Sequence, residues 1–220
     1  MKKITMAIAV LFLLSPAFAA GLNGIEPGDN VLYLFGGAAF PGKYDVDDYL
    51  VGSYDISAGK EGAPSLGLQY LYYTNPYFGI GFETSYTKYS YGRSEYFWVS
   101  PFSIIETRGE GERFNFLGVL RSNINPADRV RVYPVAGLGA TYFNTKQRIT
   151  VVGVGQEISR AKFLMPGAYA GLGFEADLTD VFTIGLEGRY NIYMLNKDRV
   201  NSTNSLLTEA SVIVKLGFRF

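Results

Sequence analysis

The chain has 220 residues, 20 basic against 20 acidic, and contains neither histidine nor cysteine. Zero net charge offers no basic field to nucleic acid, and without cysteine there are no disulfides or thiolate metal sites. Without histidine the commonest general base is gone, so much catalytic chemistry is excluded and no cofactor or metal is expected.

Lys2 and Lys3, an apolar run over residues 4–14 and the small-residue exit Ala17-Phe18-Ala19 predict a secretory signal peptide over 1–19, cleaved after Ala19. One β domain is expected over 20–220, since no linker or charge block divides it. After the leader, no apolar run approaches the roughly 18 residues of a spanning helix.

The segment "VLYLFGGAAF" at 31–40 predicts a first strand, apolar enough to leave its register open. In "SLGLQYLYY" the side chains alternate. Leu66, Leu68, Tyr70 and Tyr72 share a face opposite Ser65, Gly67, Gln69 and Leu71. After the turn at 74–76, Phe78, Ile80, Phe82, Thr84 and Tyr86 continue the apolar face. Phe114, Phe116, Gly118 and Leu120 form the next, and a turn at 125–128 leads to Val132, Pro134, Ala136, Leu138, Ala140 and Tyr142. Leu164, Ala168, Ala170, Leu172, Phe174 and Leu178 precede a turn at Thr179-Asp180, which leads to Phe182, Ile184, Leu186, Tyr190 and Ile192. The last strand carries Leu206, Ala210, Val212, Val214, Leu216, Phe218 and Phe220. Pro134 and Pro166 each lack a ladder donor, which predicts a bulge or strand end at those positions.

These are eight strands, and their connections alternate tight turns with gaps of about 24, 20, 18 and 11 residues, the layout of a bacterial outer-membrane barrel. The expected fold is all-β: a closed, eight-stranded, antiparallel up-and-down transmembrane β-barrel. In hydrocarbon every backbone group must be paired, so the sheet has to close. The apolar faces carry no charge, as lipid contact requires. Every strand charge that alternation places falls on the other face: Glu83, Arg113, Arg121, Arg131, Glu175, Asp177, Glu187, Arg189, Glu209, Lys215 and Arg219. In so narrow a lumen they are read as an interior salt-bridge plug. A proton relay or ion site at Glu83 and Glu175 is the functional alternative, but pairing explains the same pattern. A soluble lipocalin-type barrel is the competing fold, though eleven charges and many glycines would make a poor soluble core.

Two aromatic girdles are expected, one from Tyr72, Tyr73, Tyr77 and Phe78, the other from Tyr86, Tyr89, Tyr91, Tyr142, Phe143, Tyr190 and Tyr193. The leader, the eight strands, "YPVAGLGATY" at 133–142, "AGLGFEADL" at 170–178 and the terminal "KLGFRF" together resemble the OmpA-like, opacity-type outer-membrane barrels of Gram-negative bacteria. The resemblance spans the mature chain and implies an outer-membrane location, contact with membrane lipid and lipopolysaccharide, and Phe218 and Phe220 as the assembly signal read by the barrel-insertion machinery. It also implies that a chain ending at its barrel carries no peptidoglycan-binding domain.

"GLGFEA" at 171–176 matches a dinucleotide pattern, but that pattern belongs at a strand-to-helix turn. With "GIGFET" at 79–84 and "GLGATY" at 137–142 it reads instead as inward glycines making room in a tight barrel. Asp45, Asp47 and Asp48 offer oxygens to Ca²⁺ or a lipopolysaccharide-bridging cation, with a solvated acidic loop as the plainer reading. Tyr96, Phe97 and Trp98 form a candidate loop contact for a host, phage or neighbouring barrel, unless strands simply extend above the membrane. "ITVVGVGQEI" in the third gap is read as such an extension.

The favoured function is a non-enzymatic surface barrel, structural or adhesive and antigen-like, with specificity in four loops. The alternative is a small OmpW-like channel for a small or hydrophobic solute. A lipid-modifying barrel enzyme would need a base other than histidine for its serine.

Overall fold

The computed structural model describes residues 24–42, 44–48, 52–56, 62–96, 104–125, 129–151, 155–194 and 206–220. The expected signal peptide lies outside them. Among the described residues ten strands are present: β1 (Asn30–Pro41), β2 (Tyr44–Asp48), β3 (Gly52–Ile56), β4 (Ala63–Asn75), β5 (Phe78–Tyr96), β6 (Ile104–Ser122), β7 (Val130–Val151), β8 (Gly155–Asp177), β9 (Phe182–Met194) and β10 (Leu206–Arg219). Eight of them close an antiparallel barrel in the order β1-β10-β9-β8-β7-β6-β5-β4, while β2 and β3 form a separate hairpin inside the first long connection. Closure comes from β1, which pairs with β10 on one side and β4 on the other.

Short connections gather at one rim. Asn75 Oδ1 accepts from the Tyr77 and Phe78 amides at 2.9 and 3.0 Å, and Thr179 Oγ1 accepts from the Phe182 amide at 2.9 Å, so side chains satisfy the backbone where the chain reverses. Asn30 and Phe220 exchange both backbone hydrogen bonds at this rim, locking the first barrel residue to the last.

Alternation decides the orientation of the sheet. Phe82 is 62% exposed, Leu172 67% and Leu138 70%, whereas Arg131, Glu175 and Lys215 are 0% exposed. The apolar face is therefore outside and the charged face inside, the arrangement a barrel in lipid requires and a soluble barrel forbids.

The expectations for the prolines and the girdles are corrected, while the strand extension expected of the third gap is present: β7 and β8 pair up to Val151 and Gly155, and in the second gap β5 and β6 pair up to Tyr96 and Ile104. Because β4 stops pairing with β5 at Thr87 and β9 first pairs with β8 at Gly167, strands β5 to β8 continue past the barrel as a four-stranded extension.

Neither proline makes a bulge or ends a strand. Pro134 pairs with Leu172 and Pro166 with Ala140 in an uninterrupted register. Each stands one residue beyond the end of its strand's other ladder, since β6 last pairs with Val135 and β9 first pairs with Gly167. Backbone groups alternate sides along a strand. The Val132 carbonyl faces β6 and the Asp177 amide faces β7, so at even spacing the missing donors of Pro134 and Pro166 point to the two positions without a ladder partner. Among the described residues the ladder register shifts elsewhere, between Tyr73 and Asn75.

The girdles are thinner than expected. Tyr72, Tyr77, Phe78 and Tyr190 face outward, but Tyr73, Phe143 and Tyr193 are buried inside. Adjacent residues such as Tyr72 and Tyr73 must point to opposite faces.

Candidate functional site: the charged barrel interior

All eleven charged side chains singled out above are buried in the lumen, and they fall into three groups. Near the short-turn rim, Glu175 of β8 sits between two guanidiniums. Arg121 of β6 donates Nη1 and Nη2 to its two oxygens at 2.9 Å each, and Arg131 of β7 donates Nη2 to Oε1 at 2.7 Å. The Tyr33 hydroxyl donates a further bond to Glu175 Oε2 at 2.8 Å. Arg131 also donates Nη1 to Asp177 at 2.6 Å, and Arg219 lies 3.9 Å from Asp177 and 3.7 Å from Asp29. Three cations thus face three carboxylates.

The second group is a closed circuit. Arg189 of β9 donates Nη2 to Glu83 of β5 at 2.7 Å and pairs with Glu187, which pairs with Lys215 of β10 at 2.5 Å. Lys215 donates to Gln69 Oε1 at 2.9 Å, and Gln69 Nε2 donates back to Glu83 at 2.8 Å. Four charges sum to zero, and the amide of Gln69 closes the ring.

The third group lies toward the opposite rim. Arg113 of β6 grips Glu209 of β10 with both terminal nitrogens, at 2.6 and 2.8 Å. Tyr89 donates its hydroxyl to Glu209 at 2.5 Å, and Tyr193 and Phe143 flank the guanidinium at 4.7 and 6.0 Å from their ring centres. The inward aromatics thus form a lid of cation–π contacts over the pair. Between the second and third groups lies a neutral layer, where Asn115 donates to Ser85 Oγ and accepts from Thr141 Oγ1, both at 2.9 Å.

Aromatic rings separate the first two groups. The Arg121 guanidinium lies 3.5 Å from the Tyr133 ring centre, and Lys215 lies 5.4 and 5.8 Å from the Tyr33 and Tyr133 centres. Glycines make room for such rings: a Cβ on Gly173 would stand 2.4 Å from Tyr133 Cζ, and one on Gly137 would stand 2.2 Å from Tyr169 Cε1. "GLGFEA" accordingly runs through the middle of β8, away from any helix.

Charge neutralises charge within each group, so the desolvation cost of burying ions in a low-dielectric space is offset locally. Sequence reading missed several members of this network. Tyr33 was hidden by the open register of the first strand, Asp29 lies just before that strand, Tyr89 was assigned to a girdle, and Gln69 and Tyr169 carry no charge to draw attention, although alternation alone puts the last two inside.

The remaining candidates lie elsewhere. Phe218 and Phe220 face outward at the short-turn rim with ring centres 5.8 Å apart, and Phe218 meets Phe182 edge-on at 5.6 Å. Tyr96 ends β5 opposite Ile104; Phe97 and Trp98 lie outside the described residues. Asp45, Asp47 and Asp48 belong to β2, where the backbone pairs with Asp55, Ser53 and Gly52 of β3.

The family profile described as outer membrane protein beta-barrel domain matches residues 5–220. The chain belongs to that family, and its place is the outer membrane. Solved structures resemble this outer-membrane barrel at low identity. The Ail attachment invasion locus protein of Yersinia pestis is 15% identical with a TM-score of 0.47, the match covering 88% of this chain and 99% of that one. The N-terminal barrel domain of OprF from Pseudomonas aeruginosa is 16% identical with a TM-score of 0.47, covering 89% and 100%. OprG from the same organism is 14% identical with a TM-score of 0.49, covering 91% and 99%. No curated protein sequence matches the chain.

Proposed function

We propose that this barrel is a non-enzymatic surface protein, structural or adhesive and antigen-like, whose specificity resides in the connections of the long-loop rim. The observation that carries this reading is the interior: three neutral ion-pair groups, packed with inward aromatics, occupy the lumen along its length. Each of the five lumenal carboxylates among them is engaged by a guanidinium or ammonium, which leaves none as a general base beside a serine. Ser85 and Ser211 are bonded to asparagines rather than to a base. In this reading Phe218 and Phe220 are the segment read by the barrel-insertion machinery, and lipopolysaccharide and host, phage or neighbouring surfaces are the partners outside.

Reconstitution of the refolded protein in planar bilayers tests the closed lumen, with no stepwise single-channel conductance expected. Discrete openings, or uptake of a small solute into proteoliposomes, would replace this reading with the channel. Bacteria displaying the chain with residues 97–103 shortened should adhere to cultured host cells less than those displaying the full chain. Equal adhesion would remove that connection from the adhesive role.

A further inference from the structure

The outward face of the four-stranded extension is as unlike the lipid-facing band as the lumen is. Along β7 the outward residues run from Val132 to Tyr142, then to Asn144, Lys146 and Arg148; along β8 they run upward from Phe174 and Leu172 to Leu164, then to Lys162 and Arg160. At about 3.3 Å per residue and a tilt of about 40°, the ten residue steps from Val132 to Tyr142 rise about 25 Å, the height of a barrel's apolar band. The four cations therefore begin where that band ends.

Their pairing is unusual. Lys146 and Arg160 are direct cross-strand partners, Arg148 is two residues beyond Lys146, and Lys162 is opposite Asn144. Like charges directly opposite one another weaken a sheet unless a counter-charge lies between them. Glu110 of β6 stands opposite Lys146, but Arg148 stands between Arg108 of β6 and Ile158 of β8, and the β7 partners of Arg160 and Lys162 are Lys146 and Asn144, so none of these three has a carboxylate as its direct partner there. Among the described residues no carboxylate forms an ion pair with any of the four. By contrast the outward Lys88 of β5 stands opposite Glu112, so its charge is balanced within the sheet.

We propose that Lys146, Arg148, Arg160 and Lys162 form a docking site for the phosphate groups of lipid A in the outer leaflet. The commitment to a lipid rests on position and charge together. The patch faces sideways, directly above Leu164 and Tyr142, so the molecule beside it has acyl chains against the apolar band and its headgroup at the height of the cations. An anionic headgroup there supplies the counter-charge that Arg148, Arg160 and Lys162 do not receive from their direct ladder partners.

The test uses the full chain refolded in detergent, with native mass spectrometry reading retained lipid. Diphosphoryl lipid A should be retained, and the fully dephosphorylated lipid should bind about tenfold more weakly or worse. The variant Arg148→Gln/Arg160→Gln/Lys162→Gln should lose that preference, whereas Lys88→Gln should keep it. Equal retention of the two lipids by the unaltered protein would overturn the proposal, and needs no variant to fold. It would also be overturned if the triple variant, with its heat-dependent gel mobility intact, kept the full preference. Soluble dextran sulfate binding through the same residues with no preference among lipids would assign the patch to polysaccharide and overturn it too.

Discussion

At the scale of single residues, Glu175 carries more of the interior than any other carboxylate, because Arg121, Arg131 and Tyr33 all donate to it and all are fully buried. Glu175→Gln keeps the shape and removes the charge. Arg131 retains Asp177, but Arg121 is left without a carboxylate, and a buried charge stripped of its partner costs about 3–5 kcal/mol. Urea unfolding of the refolded barrel in lipid vesicles should show a loss of that size, little affected by salt because the site is shielded from solvent. A loss below about 1 kcal/mol would mean that water reaches Arg121. Phe220 predicts a different kind of effect. Its ring is exposed and stacks only on Phe218, so Phe220→Ala should leave the unfolding free energy of a refolded barrel within about 0.5 kcal/mol. Pulse-chase labelling in cells should nevertheless show slower appearance of the heat-modifiable folded band. Unchanged assembly kinetics would remove Phe220 from the role of assembly signal.

At the scale of strands, the prolines show how ladder geometry overrides a local rule. Pro166 is an unusual residue for a long strand, yet its missing donor faces a side where no partner stands. Pro166→Ala should therefore change stability by no more than about 0.5 kcal/mol, whereas a proline at Ala168, whose neighbours on both sides are paired, should cost about 3 kcal/mol or more. Equal effects in thermal melts followed by gel mobility would refute that assignment. The faces of the strands were legible because period-two alternation is a local signal: Phe82 and Glu83, or Val214 and Lys215, are adjacent and could only diverge. What was not legible needed partners distant in sequence. The register of β1 is set by Lys215 opposite Phe35 and by Gln69 opposite Tyr33, which no local pattern reveals. The extension of β7 and β8 was legible in "ITVVGVGQEI", but the full length to which β5 to β8 pair past the barrel was not, because they continue beyond the point where apolar alternation ends, at Lys88, Glu110, Lys146 and Arg160. Tyr73, Phe143 and Tyr193 were assigned to the girdles because they are aromatic near a rim, a compositional argument that their parity contradicts.

At the scale of the whole molecule, the fold stands on closure rather than on a greasy core. Hydrocarbon lies outside, paired ions lie inside, and the ladder between them has to return to its own first strand, since an open edge in lipid would leave its backbone groups unsatisfied. The returning contact joins residues at opposite ends of the domain, with Val31 opposite Arg219 and Ala39 opposite Ser211, so it carries the largest loop-closure cost of any pairing. Because the chain has no cysteine, that seam can be tested cleanly by introducing two. Asn30 and Phe220 exchange hydrogen bonds, so counting along the ladder makes Ala39 and Ser211 a non-hydrogen-bonded pair, with Cα atoms about 4.5 Å apart and both side chains inward. That spacing is within disulfide range. Ala39→Cys/Ser211→Cys should cross-link on mild oxidation of the folded protein and give a band of altered mobility even after boiling. The heat-denatured chain should give little of it. The displaced pair Ala39→Cys/Ile213→Cys, diagonal and about 7–8 Å apart, should cross-link poorly in the same preparation. If the diagonal pair linked as readily as the direct one, the seam would not be held in this register, and the neutral grouping of charges that depends on it would have to be redrawn.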